Sequence, residues 1–188
     1  SMKVQSQSPF AQYIACEGSH VDDPRTVSVE RVSEGLCRIV EIEGPMLVKR
    51  AYDIYLRGCG IKRLGHDLRS TMNRALQVAV LREHVITEAE SGTDDLLFAV
   101  VRMRGSPAIK LRSRGARAFE EIPPSELQTV ARLLLEQHGL TTGSDDHLRA
   151  ILDSFDLKRL TTQVGKSLLE ILEQHYPYVD EHLIQIRQ

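Results

Sequence analysis

The sequence predicts a mostly α-helical chain with small β wings (α+β), built as tandem winged-helix or helix-turn-helix-like units that arose by internal duplication. Three observations predict it. The 188 residues are 41% apolar but only 5% aromatic, with no Trp, so a core must come from Leu, Ile, Val and Ala, a set that favours helices. Apolar residues recur at three- and four-residue spacing through three successive segments, and two β-prone runs follow them. The tripeptide Lys62-Arg63-Leu64 returns 96 residues later as Lys158-Arg159-Leu160, at the same place in that order. A chain of this length accommodates two small domains, each with a modest core.

Residues 1–27 read as a lead-in segment, because Pro9, Gly18, Asp22-Asp23 and Pro24 leave no sustained period. Its polar opening, KVQSQS, reads as the start of a piece of something larger. A first unit then spans 28–101. Val32, Leu36, Ile39 and Val40 predict a helix that Gly44-Pro45 stops. MLVKRAYDIYLRG predicts a second, with Val48, Ala51, Tyr52 and Tyr55 on one side and an end at Gly58 to Gly60. A third should run from near His66 to about Arg82, carrying Leu68, Met72, Ala75, Leu76 and Ala79 on one stripe. HVITEAESGTDDLLFAVV predicts a hairpin around Ser91-Gly92-Thr93-Asp94. This is the element order of a winged helix, whose third helix enters the major groove in helix-turn-helix proteins.

Residues 102–122, which hold RMRGSPAIKLRSRGAR, read as a basic linker or an edge strand. The second unit, 123–188, repeats the plan. Leu127, Ala131, Leu134 and Leu135 match Val32, Leu36, Ile39 and Val40 at a displacement of 95. Leu148, Leu152, Val164, Leu168 and Leu172 match Tyr52, Leu56, Leu68, Met72 and Leu76 at a displacement of 96. The final DEHLIQIRQ reads as one strand of a shortened second wing.

Net charge is only −2, yet it is segregated. Residues 49–82 hold eight Lys or Arg against two acids, and residues 102–117 hold six against none. The intervening 83–101 carry five acids and no base. Cys16, Cys37 and Cys59 fit neither a disulfide framework nor a zinc site, which points to a reducing cytoplasm. No apolar run approaches the eighteen or so residues that a membrane span needs, and no signal pattern opens the chain.

Catalytic patterns are missing from the reading. VGKS at 164–167 ends like a phosphate loop but lacks the earlier glycine and lies inside a helical stripe, where backbone N–H groups are already bonded. No Glu-x-Lys stands on a plausible strand to hold a nuclease metal, and no histidines are paired four apart. His66-Asp67 reads as helix entry, with the carboxylate at the positive end of the dipole, and the other histidines read as surface or capping residues. No catalysis, metal, cofactor or small-molecule substrate is expected.

Opposite Met72 on the third helix, at 100° per residue, stand Arg63, Asp67, Ser70, Arg74 and Gln77, with His66 and Asn73 on the shoulder. Arg, Asn and Gln match the edges of guanine and adenine, while Ser suits phosphates. Alternation in AIKLRSR would line up Lys110, Arg112 and Arg114, beside Arg102, Arg104 and Arg117, as a second cationic face for DNA backbone. Two features oppose a simple groove reader. The wing tip is acidic at Glu88, Glu90, Asp94 and Asp95, and the second copy shows Arg159, Thr162, Lys166, Glu170 and Glu173, a mixture that suits protein docking through Arg159 and Lys166.

The segments VEIEGPMLVKRAYDIYLRGCGIKRLGHDLRSTMNRAL and EEIPPSELQTVARLLLEQHGL, followed by FDLKRLTTQVGKSLLEIL, carry a resemblance. It rests on Glu43-Gly44-Pro45, the Gly60 to Gly65 turn with its Lys-Arg, Ile122-Pro123-Pro124 with Glu126, and Lys158-Arg159, and covers roughly residues 29–172. The chain resembles a C-terminal domain family found on large bacterial superfamily-one DNA helicases, often beside a restriction-endonuclease-like domain. That resemblance implies a helicase or nuclease parent and a role in handling DNA; it supplies no catalytic residues. The expected function is a non-catalytic domain that binds or positions duplex or branched DNA. The alternatives are a module that docks on the parent's helicase or nuclease domains and a free-standing transcriptional regulator.

Overall fold

The computed structural model of the chain describes residues 8–18, 21–90 and 92–176, and the backbone of 184–185. The chain forms two compact units: the first is Ile14–Ser106, and the second joins the chain up to Tyr13 to Pro107–Gln188. The expected lead-in and linker are therefore each divided between units. Both divisions have packing causes, given below.

In the first unit, α1 (Val29–Glu43) starts where the Ser28 side chain accepts from the Arg31 N–H, and its buried stripe includes Val32, Leu36, Ile39 and Val40. Pro45 cannot extend the helix ladder, so the chain passes into β1 (Met46–Leu47) and then α2 (Val48–Gly58). Close approach of α1 and α2 requires glycine at 35, where a Cβ would stand 2.6 Å from Cε2 of Tyr55. Burial pushes the Tyr55 phenol up to about 12, and its hydroxyl donates to the Asp22 carbonyl at 2.8 Å. α3 (His66–Leu81) buries Met72, Ala75, Leu76 and Ala79 and packs chiefly on α1.

β2 (Val85–Glu88) and β3 (Val100–Met103) pair antiparallel, and β1 pairs with β3, giving the sheet order β1-β3-β2. The hairpin expected from sequence is present but shifted. Leu96–Phe98 form a 3-10 turn capped by the Asp95 carboxylate, so the returning strand starts at Val100 and takes in Arg102 and Met103. That pairing draws the first residues of the expected linker into this sheet. Below them Glu43 and Arg50, both buried, form an ion pair at 2.7 Å, and the second Glu43 oxygen accepts from the Cys16 N–H at 2.7 Å. This carboxylate ties the end of the lead-in to α1.

In the second unit the earlier part of the lead-in is held by another arginine cluster. Ala11 bridges Arg112 in parallel, and Ser113 donates its N–H to the Ala11 carbonyl while its hydroxyl accepts from Tyr13. The Tyr13 ring lies under Arg112 and Arg117, 4.5 and 4.2 Å from their guanidinium carbons. Arg117 is buried and grips both oxygens of buried Glu126, at 2.8 and 3.0 Å, together with the carbonyls of Ser113 and Arg114.

Three helices follow β4 (Ile109–Lys110): α4 (Pro124–His138), α5 (Asp145–Ser154) and α6 (Thr162–Glu173). Gly139 caps α4 in the left-handed region, and Ser144 and Thr161 cap the next two with their hydroxyls. His147 is buried rather than at the surface. Its Nε2 lies 2.9 Å from the Ala131 carbonyl and its Nδ1 accepts from the Gly143 N–H, which stitches the α4–α5 turn shut.

Helix starts repeat with near-constant displacement: Pro124 is 95 residues after Val29, Asp145 is 97 after Val48, and Thr162 is 96 after His66. Among the described residues the strands do not repeat. β5 (Ile184–Gln185) pairs parallel with β4, so the strand expected as a shortened wing joins a two-stranded parallel sheet. The rest of DEHLIQIRQ lies outside the described residues.

Candidate nucleic-acid interface

The spacing of Ser70, Arg74 and Gln77 puts them on one side of α3, and all three are exposed; Arg63 stands exposed in the extended stretch that leads into the helix. Neither Arg63 nor Arg74 is in an ion pair among the described residues. Lys62, just before Arg63, and Arg82, which caps α3, are equally exposed and unpaired, and extend the cationic side at both ends. The density of bases in residues 49–82 contains these two; a helical wheel centred on Met72 does not single them out.

Asn73 differs from expectation. It is half-buried, and its Oδ1 accepts from the Tyr52 hydroxyl at 2.9 Å. A side-chain amide needs both its oxygen and its nitrogen to read adenine, so an amide engaged this way is poorly suited to that role. Burial of Tyr52, which raises its phenol's pKa far above the usual range, keeps the donor proton in place. The remaining polar readers on this side are Ser70, Arg74 and Gln77.

The loop after β2 is also less repulsive to phosphates than its letters imply. Asp95 accepts from Arg69 of α3 at 2.5 Å, Glu90 is buried, and Glu88 lies 3.9 Å from Arg102. Among the four acids of the expected wing tip, Asp94 is the exposed one. Arg69 is thus consumed in holding this loop against the helix.

The second expected cationic face does not assemble as an exposed row. Arg102 sits in β3 and donates to the Ser106 carbonyl at 2.7 Å. Arg104 is exposed but stands 3.4 Å from Glu83. Lys110 is half-buried, and burial together with nearby Arg112 lowers its amine pKa. Arg112 is buried over Tyr13, and Arg114 donates to the carbonyls of Phe155 and Arg117. Alternation carries the charge pattern alone; the Tyr13 ring and the Phe155 carbonyl that draw Arg112 and Arg114 inward come from segments distant in sequence, while the Ser106 and Arg117 carbonyls are local turn acceptors.

Arg159 and Lys166, the expected docking pair, are both exposed, Arg159 in the loop before α6 and Lys166 on α6 itself. Among the described residues no group of three or more His, Cys, Asp or Glu is placed to hold a metal ion, and no helix is long and apolar enough to cross a membrane. Comparison with protein-family models, with curated proteins and with solved structures finds no match to this chain.

Proposed function

We propose that this chain is a non-catalytic DNA-binding or DNA-positioning domain, with α3 of the first unit as its principal contact. The observation that carries the reading is a set of exposed cations without ion-pair partners around α3: Lys62 and Arg63 in the stretch before it, Arg74 on the side away from the core and Arg82 at its C-terminal cap. Guanidinium and ammonium groups without internal partners are free to replace condensed counterions on a phosphate backbone. The order α1-β1-α2-α3-β2-β3 with sheet order β1-β3-β2 supports reading the first unit as a winged helix. The near-constant helix displacement supports descent of the second unit from the same three-helix plan, with its strands rebuilt.

The basic stretch contributes less than its composition promises, because Arg102, Arg112 and Arg114 donate inward or are buried. The parent helicase or nuclease is supported by the sequence resemblance alone. An electrophoretic shift of the full chain with single-stranded, duplex and forked DNA tests the reading. Retention of duplex or forked DNA that weakens as salt rises is the expected result; no retention of any of the three at low salt would sink it.

A further inference from the structure

The second unit carries a cleft of about 550 Å³ between α5 and α6. Its apolar floor is Leu148, Leu160 and Leu169, the last of these 43% exposed, and Gly165 leaves the α6 side low. Five charged side chains rim it: Asp145 and Arg149 from α5, and Lys166, Glu170 and Glu173 from α6. None of the five is in an ion pair among the described residues. Elsewhere in the chain ion pairs are common even on the surface, as at Lys49–Asp53 and Arg31–Asp22. An apolar trough edged by unspent charges of both signs is a surface whose complement lies in another molecule.

We propose that this cleft docks an amphipathic helix of a partner protein. That helix places aliphatic anchors on the leucine floor, an acidic residue against Lys166 and basic residues against Glu170 and Glu173. The choice of occupant follows from length and charge order. Lys166 to Glu173 covers roughly 10 Å at about 1.5 Å per residue, two turns of helix, which is the span read by anchors at i, i+3 or i+4, and i+7. The order along α6 is one cation followed by two anions, so the complement of a partner helix running parallel to α6 is an acidic residue followed, one and two turns away, by bases, and of an antiparallel one the reverse. Nucleic acid is the wrong partner here, because three carboxylates face two cations around the rim.

The probe is a displayed library of random sixteen-residue peptides, selected on immobilised full-length chain and followed by anisotropy of the enriched peptides. Enrichment of helical sequences with spaced Leu-type anchors and one acidic residue with bases one and two turns to one side of it is expected. Lys166→Glu should weaken such a peptide tenfold or more, and replacing the peptide's acidic residue by Lys should restore most of the loss. Leu169→Asp, a change at an exposed position, with the fold checked by circular dichroism, should abolish binding. The proposal is overturned if no sequence class is enriched, if enriched peptides bind the Leu169→Asp chain as well as the parent, or if the reversed peptide fails to rescue Lys166→Glu. It is equally overturned if the Leu169→Asp substitution removes duplex DNA binding instead.

Discussion

The two units use the same three-helix register with opposite surface chemistry. On α3, Ser70, Arg74 and Gln77 face outward; at the positions 96 residues on, α6 presents Lys166, Glu170 and Glu173. In α2 the exposed pair Lys49 and Asp53 is joined at 2.7 Å, whereas 96 residues on the order of sign is reversed as Asp145 and Arg149, and the two stay apart. Tyr52 and Asn73 are hydrogen-bonded where the second unit has Leu148 and Leu169, and Arg69 stands where it has Gly165. The difference teaches how one framework serves two ends. Helix starts keep a near-constant displacement, while the side chains at matching positions differ: α3 buries Met72, Ala75, Leu76 and Ala79, whereas α6 buries Leu168 and borders an open cleft of mixed charge.

What the units share should break hardest. Each holds an arm of the lead-in through a buried Arg–Glu pair, Glu43 with Arg50 and Glu126 with Arg117. Replacing one carboxylate leaves a desolvated guanidinium uncompensated, so Glu43→Gln and Glu126→Gln should each cost about 3–5 kcal/mol. Hydrogen exchange read segment by segment should show the loss in the unit that carries the change. Unaltered exchange there would mean that the pairs are not what anchors the arms.

Glycine substitutions sharpen the contrast at a smaller scale. Gly35→Ala drives a methyl group to 2.6 Å from the Tyr55 ring and should destabilise the first unit by about 1–3 kcal/mol in urea denaturation. Gly165→Ala meets only Leu160 Cδ1 at 3.5 Å, an ordinary contact, and gains helix propensity, so it should stabilise the second unit by about 0.5–1 kcal/mol. Equal signs would contradict the filled-versus-open comparison. Comparable in size is Tyr52→Phe, which removes the hydroxyl held by Asn73 and should cost about 1 kcal/mol in the same assay.

Helices were legible because their evidence is local. The stripes of α1, α2 and α3 and the stop at Gly44-Pro45 lie within a few residues of what they determine. Short strands were not: β1 is two residues whose partners, Val100 and Val101, are far along the chain, and the parallel β4–β5 pair depends on an even more distant segment. The candidate site divides the same way. Ser70, Arg74 and Gln77 follow from helical geometry, and their exposure agrees with it; Arg63, which the same wheel places beside them, lies ahead of α3 in non-helical chain. Asn73 was misjudged because Tyr52 reaches it from another helix, and Arg112, Arg114 and Arg117 because Tyr13, Glu126 and the Phe155 carbonyl are invisible to a count of charges.

The central claim, that the first unit's α3 and not the second unit's α6 meets DNA, is tested most directly by salt-dependent anisotropy. Binding of labelled duplex by the full chain would be measured between about 50 and 200 mM salt, a range over which counterion release gives a linear log–log slope. Arg63→Ala with Arg74→Ala should flatten that slope by about two, while Lys166→Ala leaves it as in the parent chain. A double variant with the parent's slope and affinity, or a Lys166→Ala chain that alone loses DNA, would contradict the account.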